Sequence, residues 1–223
     1  MTHRTNARIA GFTFLFYIAV GISDIVLFSR ATGSEGITAK LAGIAQHAFQ
    51  VRLSIVLGLV QAFCAIVLAV TLYRITCDQD SDLAMLGLTF RLGEGFIGAI
   101  STRAAHELLW LGTASGQKAP DTATVHAIGT YLLGAPDWNM GAVFFAMGST
   151  LFSYLFLRGR TIPVALAWIG VVASVVLIVG LPLQLAGFLA GPVTSYMWIP
   201  MLLFEVPLGF WLLIKGVRTP TTR

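Results

Sequence analysis

Leu83-Ala-Met-Leu-Gly-Leu-Thr-Phe-Arg91-Leu-Gly-Glu94-Gly95-Phe-Ile-Gly98-Ala-Ile-Ser101-Thr102-Arg103-Ala-Ala-His106-Glu107-Leu-Leu-Trp110-Leu111 is apolar over most of its length and contains no proline. About 20 such residues cross the hydrocarbon of a bilayer as a helix. The run exceeds that, so its last turns, from Arg103 to Glu107, are expected in the outer headgroup region. At 100° per residue Arg91, Glu94, Gly95, Gly98, Ser101, Thr102 and Ala105 share one face, and Leu92, Phe96 and Ile100 share another. Small residues let neighbouring helices approach closely, so the charged face is expected to point into a bundle. Arg91 and Glu94, three residues apart, are placed to pair.

The rest of the chain has the same character. Of 223 residues 57% are hydrophobic and only 11% charged, with a mean hydropathy of +0.83, whereas soluble domains carry about a quarter charged residues. A single integral membrane domain over 1–223 is expected, all-α, with no soluble appendage. The net charge of +4 and pI near 9.4 do not indicate nucleic acid, because the basic residues are not gathered into a stripe and no nucleic-acid motif accompanies them. Cys64 and Cys77 lie about 20 Å apart if the chain between them is helical, too far for a disulfide. Arg4 and Arg8 precede an apolar run that continues to Phe28 without a small-residue cleavage site, which reads as a retained first helix.

Six transmembrane helices are expected near 9–28, 52–73, 83–111, 138–157, 163–189 and 196–215. With the N-terminus inside, Arg4, Arg8, Arg74, Arg158, Arg160, Lys215, Arg218 and Arg223 fall on the cytoplasmic side, and Arg30, Lys40, Arg52, Arg103 and Lys118 on the other. Eight against five favours both termini in the cytoplasm of a cell whose inner membrane holds the protein. Two outer connections read as short interfacial helices. In 37–51, Ile37, Leu41, Ile44 and Ala48 recur at helical spacing, with Lys40, His47 and Gln50 on another face. After Pro120, Asp121 is placed to cap a helix that ends before Gly134.

A second carboxylate, Glu205, interrupts the sixth span. Counted at about 1.5 Å per residue, Glu94 lies roughly 16 Å in from Leu83 and Glu205 roughly 15 Å in from Lys215. Both reach a similar depth. If they meet, Arg91 brings one positive charge to two potential negative ones, so one carboxyl is expected to hold a proton. Pro200 and Pro207 flank Glu205, and Gly180-Leu-Pro182-Leu-Gln184 interrupts the fifth span, so both helices are expected to bend and free backbone carbonyls. Gly95, Gln184 and Trp198 are the residues expected to line a substrate site beside Arg91, Glu94 and Glu205.

Asp24, His47, Arg52, Arg103, His106, Glu107, His126 and Asp137 gather near the outer ends of the spans, with Asp24 and Arg52 a candidate ion pair. His106-Glu107 lacks HExxH spacing. His47, His106 and His126 are the candidates for a divalent metal, but nothing fixes their spacing and interfacial hydrogen bonding is the ordinary alternative. No metal and no cofactor is assigned. Trp110, Tyr131, Trp138 and Trp198 read as an aromatic belt. The chain offers no Ser-His-Asp order, phosphate loop or CxxC pair.

Four stretches carry a family resemblance: Arg8-Ile-Ala-Gly11-Phe-Thr-Phe-Leu, Arg91-Leu-Gly-Glu94, Leu157-Arg-Gly-Arg160-Thr-Ile-Pro163, and Phe204-Glu205-Val-Pro-Leu-Gly209-Phe-Trp211-Leu-Leu-Ile-Lys215-Gly216. Together they resemble the bacterial membrane family catalogued as domain of unknown function 4386. The resemblance covers nearly the whole chain and implies a small polytopic inner-membrane protein. It is weakest in the outer loops.

The function expected from the residues is that of a membrane-embedded enzyme or binder acting on a lipophilic small molecule. Glu94 and Glu205 would serve as acid or base, and Arg91 would set their charge. Membrane lipid and a lipophilic ligand are the partners expected. A proton-coupled carrier is the alternative: the first three and last three spans run in opposite senses, each half with one deep Glu, an arrangement common in transporters. A structural or regulatory subunit with a buried charge network is the third reading.

Overall fold

The computed structural model describes residues 2–115, 120–134 and 140–217. In chain order they form α1 (His3–Thr32), α2 (Ile37–Gln46), α3 (Ala48–Thr76), α4 (Ser81–Thr113), α5 (Thr122–Gly134), α6 (Met140–Gly159), α7 (Val164–Leu185), α8 (Val193–Tyr196) and α9 (Ile199–Ile214). No strand occurs among the described residues. Six segments are long and apolar enough to cross a membrane: α1, α3, α4, α6, α7 and Val193–Ile214, which holds α8 and α9. The protein is an all-α, multi-pass membrane protein.

Each expected span has its helix, and several run beyond their apolar stretch, because a helix satisfies its backbone groups in lipid and in water alike. The fifth is shorter than expected. Gly187 adopts a left-handed φ of 77°, and the N–H groups of Gly187 and Phe188 donate back to the carbonyls of Gln184 and Leu183 at 3.0 and 2.9 Å, closing α7 in a Schellman turn. Pro200 does not interrupt α9. It sits in the first turn of α9, where its missing N–H is not needed. Trp138, Asp137, Lys118, Arg218 and Arg223 lie outside the described residues.

Two compact units are distinguishable. One comprises Met1–Ile18, Ala62–Ile97 and Asn139–Arg223; the other comprises Ala19–Gln61 and Gly98–Trp138. The core of the first is built on Phe152, Leu155, Phe156, Leu177, Met201, Leu208 and Leu212, with α7 packed on both α6 and α9. α6 is the most enclosed span: 56% of its apolar window is buried, against 28–39% in the others. α1 crosses α9 at Gly11, where a Cβ would fall 2.6 Å from the Gly209 carbonyl oxygen. That contact leaves no room for any side chain.

Polar contacts at the helix ends of this unit fix the connections. Asp80 accepts the Leu83 N–H at 3.1 Å, capping α4, and accepts Arg158 Nη1 at 2.8 Å from the end of α6. The Leu83 N–H and the Arg158 guanidinium hold the Asp80 carboxyl below the usual carboxylate range. Arg160 then turns left-handed, with φ 49°, while the N–H groups of Arg160 and Thr161 donate to the carbonyls of Leu157 and Phe156, both at 3.3 Å. The tight turn read from Arg158-Gly-Arg160 is a Schellman closure with arginine where glycine is usual.

In the second unit Leu41, Ile44, Val51, Leu108, Leu109 and Leu111 form the core. The apolar face read in 37–51 therefore packs on protein, and the segment is two helices, broken at His47 between α2 and α3. Asp121 caps α5 as expected. Its carboxylate accepts the Ala123 and Thr124 N–H groups at 3.0 Å each and the Thr124 hydroxyl at 2.6 Å, donors that lower its pKa, the hydroxyl most of all. α5 extends through Gly134.

Candidate functional site

α4 presents its two faces as the periodicity predicts. Phe96 and Ile100 are 60% and 70% exposed, whereas Arg91 and Glu94 are 1% and 6% exposed. Ser101 departs from the pattern and is exposed. Arg91 Nη1 lies 2.9 Å from Glu94 Oε2, an i,i+3 ion pair within one helix. The geometry of this contact is charge against charge and falls short of a hydrogen bond, and Arg91 Nε and Nη2 are likewise buried with no hydrogen-bond partner among the described residues.

Three further elements complete the surroundings. From α1, the Tyr17 hydroxyl donates to Glu94 Oε1 at 3.0 Å, so each carboxylate oxygen of Glu94 is engaged by a different neighbour. From α6, the Phe145 ring lies 4.9 Å from the guanidinium carbon, a cation–π contact strengthened by the burial of both groups. Also on α6, Gly148 leaves room for the arginine stem: a Cβ there would fall 2.7 Å from Arg91 Cγ. Trp198 stacks obliquely on Phe145, with ring centres 6.0 Å apart.

Glu205 enters from α9. Its side chain is buried and within electrostatic reach of both Arg91 and Glu94, yet it makes no hydrogen bond or ion pair among the described residues. Arg91, Glu94 and Glu205 are thus brought together as the depth count allowed. Removing one partner of a buried ion pair typically costs about 3–5 kcal/mol. A guanidinium in contact with a single carboxylate and a ring is therefore a costly arrangement, and it can hold an oxygen-bearing group in place by charge and direction.

The other expected substrate residues are placed differently. Trp198 packs on Phe145, the ring that faces Arg91, and is partly buried against the core. Gly95 faces α3, where a Cβ would meet the Ala62 carbonyl oxygen at 3.0 Å, so it serves helix packing. Gln184 is in the last turn of α7, and no hydrogen bond or ion pair joins its side chain to Arg91, Glu94 or Glu205. Sequence reasoning missed Tyr17, Phe145 and Gly148. A tyrosine within an apolar run was the available signal for the first, and nothing in the periodicity of α6 marked the other two.

The outer polar residues do not assemble into a site. Asp24 accepts a hydrogen bond from the Ser54 hydroxyl, and the expected pairing with Arg52 does not form. Arg103 Nε donates to Glu107 Oε1 at 2.6 Å along the exposed surface of α4. Among the described residues no group of three or more His, Cys, Asp or Glu side chains is placed to hold a metal, so His47, His106 and His126 are not gathered. His126 instead lines a cavity of about 200 Å³ with Leu41, Leu111 and Val125. Trp110 and Tyr131 are exposed. Both cysteines are free.

Comparison with curated proteins and with solved structures gives no match. A family model described as "Domain of unknown function (DUF4386)" matches residues 9–216, a span that includes Tyr17, Arg91, Glu94, Phe145 and Glu205, and the chain belongs to this family.

Proposed function

We propose that the protein binds a lipophilic small molecule within the membrane and acts on it by acid–base chemistry at Arg91, Glu94 and Glu205. The observation that carries this reading is the convergence of three buried ionisable side chains from two helices, with guanidinium nitrogens that no acceptor among the described residues satisfies. Ionisable groups at membrane depth are rare and serve function more often than packing. In this reading Glu94, held by Arg91 and Tyr17, is the fixed charge. Glu205, without such partners, is the group that exchanges a proton with the ligand. The basic residues at the ends of α1, α3, α6 and α9 support a bacterial inner-membrane location with both termini in the cytoplasm.

The test compares wild type with Glu94→Gln and Glu205→Gln in lipid nanodiscs. Each is incubated with an apolar lipid extract of the host, and the extract is analysed by mass spectrometry before and after. Conversion or selective retention of one species by wild type, abolished in Glu205→Gln at unchanged thermal stability, is the expected result. Identical extracts from all three, with only stability lost, would assign the charges to packing. Proton uptake into liposomes that depends on Glu205 would make the same site that of a carrier.

A further inference from the structure

Two groups in the site are left incompletely partnered, and they are of opposite kind. Arg91 is 1% exposed, and its Nε and Nη2 have no acceptor among the described residues. Glu205 is 6% exposed and has no donor among the described residues. The two lie within electrostatic reach but do not form an ion pair. A buried donor or acceptor without a partner carries its full desolvation penalty, so a group that serves both at once gains from both.

The chemistry of that group is narrow. It must accept from a guanidinium and present a hydrogen to a carboxylate, which a hydroxyl does with one oxygen. A hydrocarbon leaves both groups as they are. A carboxylate or phosphate head would satisfy Arg91 but add a further negative charge beside Glu94 and Glu205. An ammonium head would set a cation against Arg91. Placement of the site within membrane-spanning helices, with Phe145 against the guanidinium and Trp198 against Phe145, favours an apolar tail on the same molecule.

We infer that the ligand is a lipophilic alcohol whose hydroxyl sits between the Arg91 guanidinium and the Glu205 carboxyl. This rests on the reading of the site as a binder of lipophilic molecules and names the head group that it takes. Tyr17 and Glu94 do not contact the ligand in this arrangement; they hold Arg91 in place.

The test is equilibrium binding of radiolabelled 1-hexadecanol, hexadecane and palmitate to the intact protein in nanodiscs, with empty nanodiscs as the blank. The three share a chain length, so differences report the head group. Hexadecanol is expected to bind saturably at one site, roughly 10- to 100-fold tighter than either of the others, the range for a hydrogen bond to a charged group. Glu205→Leu is expected to lose that preference and Glu205→Gln, which retains an acceptor, to keep part of it. Should Glu205→Leu fail to fold, infrared difference spectra serve instead: hexadecanol shifts a carboxyl band that is missing from Glu205→Gln.

Equal binding of hexadecane, or tighter binding of palmitate, overturns the alcohol and leaves the binder reading standing. A Glu205 band that responds to exchange into D2O but not to hexadecanol means that water alone bridges the two groups, and also overturns it. No saturable binding of any of the three overturns the alcohol, whereas the binder reading falls only if the lipid-conversion experiment is silent as well.

Discussion

Arg91 stands or falls with its neighbours, and graded substitutions separate their contributions. Tyr17→Phe removes one hydrogen bond to a charged acceptor and is expected to destabilise the fold by about 1.5–3 kcal/mol. Glu94→Leu strips the guanidinium of its counter-charge and is expected to cost more, about 3–5 kcal/mol. Reversible unfolding in mixed micelles reads both. The double variant Arg91→Met/Glu94→Leu should lose less than the sum of the two single losses, because the two members of the ion pair are removed together and only Glu205 remains buried without a cation; strict additivity would mean that the pair does not act as one. The pairing of Arg91 with Glu94 was legible in the sequence because i,i+3 spacing on a helix is a local matter. The hydroxyl of Tyr17 and the ring of Phe145 were not, since they arrive from other helices and periodicity is silent about which spans become neighbours.

At the scale of elements, backbone geometry supplies the tests. Gly11→Ala would drive a methyl group into the Gly209 carbonyl and force α1 away from α9; a large drop in thermal stability is expected, while Gly36→Ala, at an open position with φ 83° and ψ 150°, pays only the local strain of a backbone region essentially reserved for glycine, about 1–3 kcal/mol. Arg160 already bears left-handed strain, so Arg160→Gly should stabilise the fold by about 1 kcal/mol. Asp80 gives a pH signature. Its carboxyl is held low by the Leu83 N–H and Arg158, so its contribution is complete above the ordinary aspartate range and fades as pH falls through the lowered value in the folded protein. Asp80→Asn should flatten the acid limb of a stability–pH curve, and an unchanged limb would remove Asp80 from that account. Helix existence and the Asp121 cap were readable from residue pattern. The role of Pro200 was not, because a proline in the first turn and a proline in mid-helix look alike until the start of the helix is known. The break at His47 was equally hidden, since the apolar spacing runs unbroken through it.

For the whole molecule, few charges over 223 residues pointed to a membrane protein, and apolar runs of about 20 residues made it all-α and multi-pass. The proposed orientation is open to a direct check. Cys77 is partly exposed in the connection between α3 and α4, and Cys64 is buried. A membrane-impermeant maleimide should label Cys77 in inverted inner-membrane vesicles and not in intact spheroplasts, with Cys64 unreactive in both; labelling in spheroplasts would reverse the topology.

Among the described residues α6 spans 20 residues, about 30 Å, close to the hydrocarbon thickness of an average bilayer. α4, with 33 residues, has ample surplus and can absorb a thicker or thinner membrane by tilting or emerging. α6 is the most enclosed span and cannot tilt without moving the helices packed on it, and it is the one that lays Phe145 and Gly148 against Arg91. Acyl-chain length is therefore a handle on the buried arginine: host lipids a few carbons longer or shorter would press first on α6, and through it on the ring and the gap that hold the guanidinium.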